Sequence, residues 1–152
     1  MSVPVGNRKV SKVEYDSRCL AIHKDCVELI DCNFGAKKEV VEARSWYISR
    51  VADEALRSVF ALNKYIKVAN SIYPISQGEY VSRRLNQGRA IGMCFDILSI
   101  YQCAITYLGV KNDKYVEPIK HIMYEIYSIK NWMKSDSKRF GYLLKNENTS
   151  TG

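Results

Sequence analysis

The sequence predicts an all-α fold, an antiparallel up-down bundle of four long helices. Three observations predict it. Apolar residues recur at steps of three and four over long stretches. Only three prolines (4, 74 and 118) and eight glycines interrupt 152 residues. No strand-type alternation runs far enough to count.

The four helices follow in order. Ser11-Lys12-Val13-Glu14 reads as a capping box, in which the Ser and Glu side chains satisfy free backbone N–H groups. It opens a first helix, Ser11 to Asp31, which Asn33-Phe34-Gly35 closes. The second spans Lys37 to Tyr73 and stops at Pro74, which cannot continue a helical ladder. At about 1.5 Å per residue it is roughly 50 Å long. Its stripe is Ile48, Val51, Ala52, Ala55, Val59, Leu62, Ile66, Ala69 and Tyr73. Ser76-Gln77-Gly78-Glu79 is a second capping box and opens the third helix, which ends near Leu108 with Gly109 as C-cap. Asn112 or Asp113 caps the fourth, which runs to Lys134 with Pro118 in its opening turns. A small kink is expected there. Its stripe is Val116, Ile119, Ile122, Met123, Ile126, Ile129 and Met133. Short connections between long helices favour antiparallel neighbours.

Length and composition fit one domain with a real core: 47% of the residues are hydrophobic. The expected organisation is a basic arm over 1–10, the bundle over 11–139 and a flexible polar tail over 140–152. No run approaches the roughly 20 apolar residues of a membrane span. Met1 to Lys12 has no apolar segment of signal-peptide type. A cytoplasmic protein without membrane contact is the expectation.

The third helix differs from the others. One side carries Leu85, Ile91, Phe95, Leu98 and Ile105; another carries Ala90, Cys94, Ile97, Tyr101, Ala104 and Leu108. A helix apolar around most of its circumference is buried around most of it. A single bundle covers one side, so self-association is expected to cover the other. Gly88 and Gly92 permit close backbone approach there.

Catalytic chemistry has little to stand on. Two histidines, His23 and His121, lie on different helices. There is no H-E-x-x-H, no phosphate-cradling glycine loop and no G-x-S-x-G. The acids form no paired sets for a di-metal bundle site. Cysteines 19, 26, 32, 94 and 103 are odd in number and lack C-x-x-C spacing, against both a disulfide framework and a zinc knuckle. Cys19 and Cys26 read as small reduced core residues. A non-enzyme without metal or cofactor is expected.

Charge points to binding. The net charge of +7 is uneven: 1–12 and 130–152 each carry +3, and the rest +1. Basic ends suit a polyanion, most often nucleic acid, and equally suit a solubilising tail. On the second helix Arg50, Arg57, Lys64 and Lys67 lie opposite the core stripe, with Trp46 and Phe60 among them and Asp53 the one acid. Cations interleaved with aromatics suit phosphates and unpaired bases; an ordinary solvated face is the alternative. Arg83, Arg84 and Arg89, near Tyr80, suit phosphate or ion pairs between subunits. Lys134, Lys138 and Arg139, beside Trp132, suit phosphate or the negative end of the helix dipole.

The segment from Tyr80 to Cys94, Tyr-Val-Ser-Arg-Arg-Leu-Asn-Gln-Gly-Arg-Ala-Ile-Gly-Met-Cys, resembles the third helix of the accessory variability determinants (Avd) of diversity-generating retroelements. Tyr115-Val-Glu-Pro-Ile-Lys, the stretch from Glu125 to Lys138 and the opening Arg8-Lys-Val-Ser-Lys-Val-Glu-Tyr15 resemble that family too. It belongs with four-helix-bundle proteins related to ribosomal-RNA intervening-sequence proteins. The likeness covers most of the chain, best over 72–139. It implies a basic, barrel-like homopentamer that binds a reverse transcriptase together with its template RNA and cDNA. The polymerase would supply the chemistry, and this chain would supply binding.

Overall fold

The computed structural model describes residues 5–144, with side chains over 17–144. Among these residues there is helix and no strand. The order is α1 (Val5–Asp31), a 3-10 turn (Asn33–Gly35), α2 (Lys38–Ala43), α3 (Ser45–Ser71), α4 (Gln77–Leu108), a second 3-10 turn (Asn112–Tyr115) and α5 (Val116–Phe140). One further helical turn covers 142–144. α3 packs along α4, α4 on α5, α5 on α1 and α1 on α3. Four long helices thus enclose one core, in which Ile22, Leu62, Ile66, Ile97, Ile122 and Ile129 are almost wholly buried. The apolar steps of three and four place these residues on the inner faces.

Three predicted boundaries match in chemistry. Ser76 caps α4: its side chain accepts from the Glu79 N–H at 3.2 Å. Glu79 reaches one residue further back than a standard box, accepting from the Ile75 N–H. Gly109 ends the helix at φ 62°, a left-handed conformation natural to glycine. The Asn33-Phe34-Gly35 stop runs through three consecutive positive φ values, 54°, 59° and 85°. Phe34 holds its unfavourable angle because its side chain is fully buried and its carbonyl accepts from the Tyr115 hydroxyl at 2.7 Å.

Other boundaries are corrected. α1 begins at Val5, so Ser11 lies inside the helix rather than at its start, and the expected arm is helical from Val5 on. Residues 1–4 and 145–152, and the side chains of Arg8, Lys9 and Lys12, lie outside what is described. The single long second helix divides at Arg44 (φ −126°, ψ 30°) into α2 and α3. No proline or glycine marks the break. Instead the Arg44 guanidinium donates to the Tyr107 carbonyl at 3.0 Å, satisfying an acceptor left free at the end of α4. Neither Asn112 nor Asp113 caps α5; the 3-10 turn leads in without a side-chain cap. α5 continues past Lys134 to Phe140, because Asp136 and Phe140 are buried against α4. Tyr80, Phe140 and Leu143 form a small second core, so the polar tail cannot begin at 140. Of the predicted stripe residues, Tyr73 and Val116 at the ends and Met123 within the fourth stripe are exposed.

The two sides of α4 separate only in part: Ile91, Leu98 and Ile105, on the side away from Ala90 and Cys94, are partly buried against the core. Ala90, Cys94, Ile97, Tyr101, Ala104 and Leu108 are buried. On the far side Val81, Leu85 and Phe95 are half exposed, and a methyl group added at Gly88 or Gly92 would meet nothing within 4 Å. α4 also contains an 18-residue stretch of mean hydropathy 1.4, long and apolar enough by composition to cross a membrane; 28% of it is buried. The expectation that no segment approaches this is corrected. Asp96 and Gln102 interrupt that stretch, but the isoleucines, leucines and cysteines around them keep its mean hydropathy high. All five cysteines are free, with Cys19, Cys26 and Cys94 buried.

Candidate nucleic-acid interface

The basic residues singled out in the sequence fall into three groups. On α3, Arg50 and Arg57 are exposed, and both reach Glu54, at 3.5 and 3.7 Å. Glu54 lies at the edge of the stripe and joins Asp53 in offsetting it, so this face is less basic than the spacing suggested. Lys64 and Lys67 are exposed on the same side. Trp46 stands out at 71% exposure, while Phe60 packs edge-on against His23 of α1 at 5.0 Å.

The α4 arginines do not form a cluster. Arg83 is buried and saturated: it bonds Asp136 twice, at 2.6 and 2.9 Å, and donates to the Ile72 carbonyl at 2.8 Å. Its guanidinium lies 5.0 Å from the Trp132 ring centre. No phosphate reaches it, so its proposed phosphate contact is withdrawn, and its ion pair is within the chain rather than between subunits. Trp132 is buried beneath it and is no surface aromatic. Arg84 and Arg89 are exposed, five residues and so about 140° apart around the helix. Arg84 donates to the Tyr80 hydroxyl, and Arg89 sits over the Tyr65 ring.

The third group grows. Lys134, Lys138 and Arg139 are exposed. Lys120 and Lys130 continue them back along α5, and Tyr124 and Tyr127, each more than half exposed, stand between. At 3.6 residues per turn Lys120, Tyr127 and Lys134 lie nearly in line, with Tyr124, Asn131 and Lys138 alongside. The acids of this stretch face inward: Glu125 and Asp136 are buried. The outer face from residue 118 to 144 therefore presents five cations, and the exposed Glu117 in the first turn of α5 is the one carboxylate beside them. None of the five is in an ion pair among the described residues. Sequence reasoning missed Lys120, Tyr124, Tyr127 and Lys130. The seven-residue steps were there to see; that both acids fall on the core face was not.

Beside this face, between α1 and α5, opens a groove of about 270 Å³ lined by Arg18, Ala21, His121 and Tyr124. His121 Nδ1 lies 2.5 Å from Asp25 Oδ2, and Arg18 donates to the Ser128 hydroxyl. These contacts tie α1 to α5. A separate aromatic group, Trp46, Tyr47 and Tyr107, meets edge to face where α3 begins and α4 ends. Burial is the main cause raising the Tyr47 phenol above its ordinary pKa.

No protein-family model, curated protein or solved structure matches this chain.

Proposed function

We propose that this chain is a non-catalytic, self-associating accessory protein that holds RNA or cDNA against a reverse transcriptase, as the retroelement accessory family does. The observation that carries the reading is the outer face of α5, where Lys120, Lys130, Lys134, Lys138 and Arg139 stand against a single exposed carboxylate, Glu117 in the first turn. Such a face releases counterions when it meets a phosphate backbone, which makes binding favourable and salt-dependent. Lys64, Lys67 and Arg89 extend the positive surface elsewhere on the chain.

Self-association rests on α4. Val81, Leu85, Gly88, Gly92 and Phe95 follow steps of four, three, four and three along its far side, the spacing of a helix-pairing seam. A second copy covers that face. In this reading the bundle is antiparallel and up-down, the assembly is the homopentamer implied by the resemblance, and the protein works in the cytoplasm.

The test is light-scattering mass, alone and with structured RNA, at low and high salt. A defined oligomer near five subunits that takes up RNA in a salt-sensitive way is expected. A monomer or dimer indifferent to RNA overturns the reading. It would favour a protein-interaction bundle instead, for which the exposed Trp46, Tyr47 and Tyr107 group is the specific surface.

A further inference from the structure

We infer that the outer face of α5 is a track for a single-stranded segment of nucleic acid, with Tyr124 and Tyr127 stacking on unpaired bases and the groove beside Tyr124 receiving one of them. The inference rests on the nucleic-acid reading above and specifies its ligand.

The cations alone would serve any polyanion. Two features narrow the choice. First, the helix dipole favours cations only in the last turn, where Lys138 and Arg139 lie. Lys120 stands in the opening turns, where the dipole opposes it, and Lys130 and Lys134 stand before the last turn. A linear ligand running the length of the helix accounts for all five; from Lys120 to Lys138 the run is about 27 Å at 1.5 Å per residue. Second, Tyr124 and Tyr127 are 54% and 65% exposed within this row. Their rings are packed on no other aromatic among the described residues, so their faces are free to stack. A duplex keeps its bases stacked on one another and offers these rings nothing, whereas an unpaired strand offers π-faces of any sequence.

The groove supplies the remaining element. Tyr124 forms one wall and Ala21 part of another, and the lining is mainly apolar, with Arg18 held by Ser128 and His121 by Asp25. A base turned out of the strand at Tyr124 finds there an aromatic face and a mainly apolar slot.

Other occupants fit less well. A membrane-lying helix inserts an apolar face, but the apolar face of α5 is already buried against the core, and Met123 is the one aliphatic side chain amid the outer row. A second copy of the same face would set lysine against lysine.

The test uses the full chain in fluorescence anisotropy with a single-stranded RNA, a single-stranded DNA and a blunt RNA duplex of equal length, over a salt series. Thermal melts confirm folding of each variant. K130Q/K134Q is expected to weaken binding to strand and duplex alike and to reduce the single-strand salt slope by about 1.4. Y124L/Y127L keeps bulk but removes the rings; it is expected to lose at least about fivefold in single-strand affinity while duplex affinity and salt slope hold. Should Y124L/Y127L bind both ligands like the unaltered chain, or weaken both equally, the single-strand track is wrong while salt-dependent nucleic-acid binding stands. If the unaltered chain binds neither oligonucleotide, the nucleic-acid reading itself fails. Binding to phosphatidylserine vesicles in place of oligonucleotides would overturn both.

Discussion

Arg83 and Asp136 form a two-point ion pair across 53 residues, Nε to Oδ2 at 2.6 Å and Nη2 to Oδ1 at 2.9 Å. Gln87 donates to the same Oδ2 at 2.8 Å. The remaining Arg83 nitrogen caps the end of α3 through the Ile72 carbonyl. One side chain thus joins α3, α4 and the last turns of α5. Buried pairs of this kind contribute little net stability, because desolvation offsets attraction, yet removing one partner strands the other charge.

Arg83→Met should therefore lower unfolding free energy by about 3–5 kcal/mol. Arg83→Met/Asp136→Leu should recover much of that. Urea titration checks both, and a single variant as stable as the unaltered chain would mean the pair is not buried in solution. The salt slope of nucleic-acid binding should not change in the double variant.

Stability should fall in alkali. Burial raises the Cys94 thiol far above its ordinary value, with Glu125 and Cys19 adding to the effect. Burial likewise raises the Cys26 thiol and the Tyr101 and Tyr115 phenols. The folded state holds these protons while the unfolded chain releases them from ordinary values of 9.0 for Cys and 10.0 for Tyr. Their contribution is complete below about pH 9 and is lost as pH rises above it. Each group costs about 1.4 kcal/mol per pH unit over that window. Melts between pH 7 and 11 should show a flat region and then a steep decline; a flat profile to pH 11 would contradict the burial of these groups.

Gly88→Ala separates folding from assembly. The added methyl meets nothing within 4 Å in the single chain, and replacing glycine inside a helix stabilises by roughly 0.5–1 kcal/mol. On a face covered by a second copy, the same methyl holds the backbones apart. The melting temperature of dilute protein should rise while sedimentation shows smaller species. A stabilised variant with unchanged assembly would move the subunit contact away from this face.

Ser76→Ala removes the side chain that accepts from the Glu79 N–H. A loss of about 1 kcal/mol is expected by thermal melt. Because Ser76 also donates to Glu79 Oε1 at 3.1 Å, the effects of Ser76→Ala and Glu79→Ala should not add.

Features whose causes lie within a few residues were legible in the linear chain. The Ser76 cap and the Gly109 stop depend on groups three or four positions apart, and Gly35 marks the end of α1 locally, although the Phe34 angle is held by Tyr115 far along the chain. The inward stripes of α3 and α5 depend on helical period alone, so the helical class and the core followed from spacing. Local chemistry also misled where it stood alone: Ser11 has the form of a cap but lies inside a helix already begun.

What folding alone decided depends on partners far along the chain. Arg44 breaks a helix because the end of α4 offers it the Tyr107 carbonyl, 63 positions away. Arg83 and Arg84 are adjacent and chemically alike, yet one is buried against Asp136 and the other faces water. The α5 face became a candidate surface because Glu125 and Asp136 turned inward, leaving Glu117 in the first turn as its one exposed carboxylate. Spacing places side chains on a wheel, but only packing determines which arc of that wheel meets solvent and which charges are neutralised from a neighbouring helix.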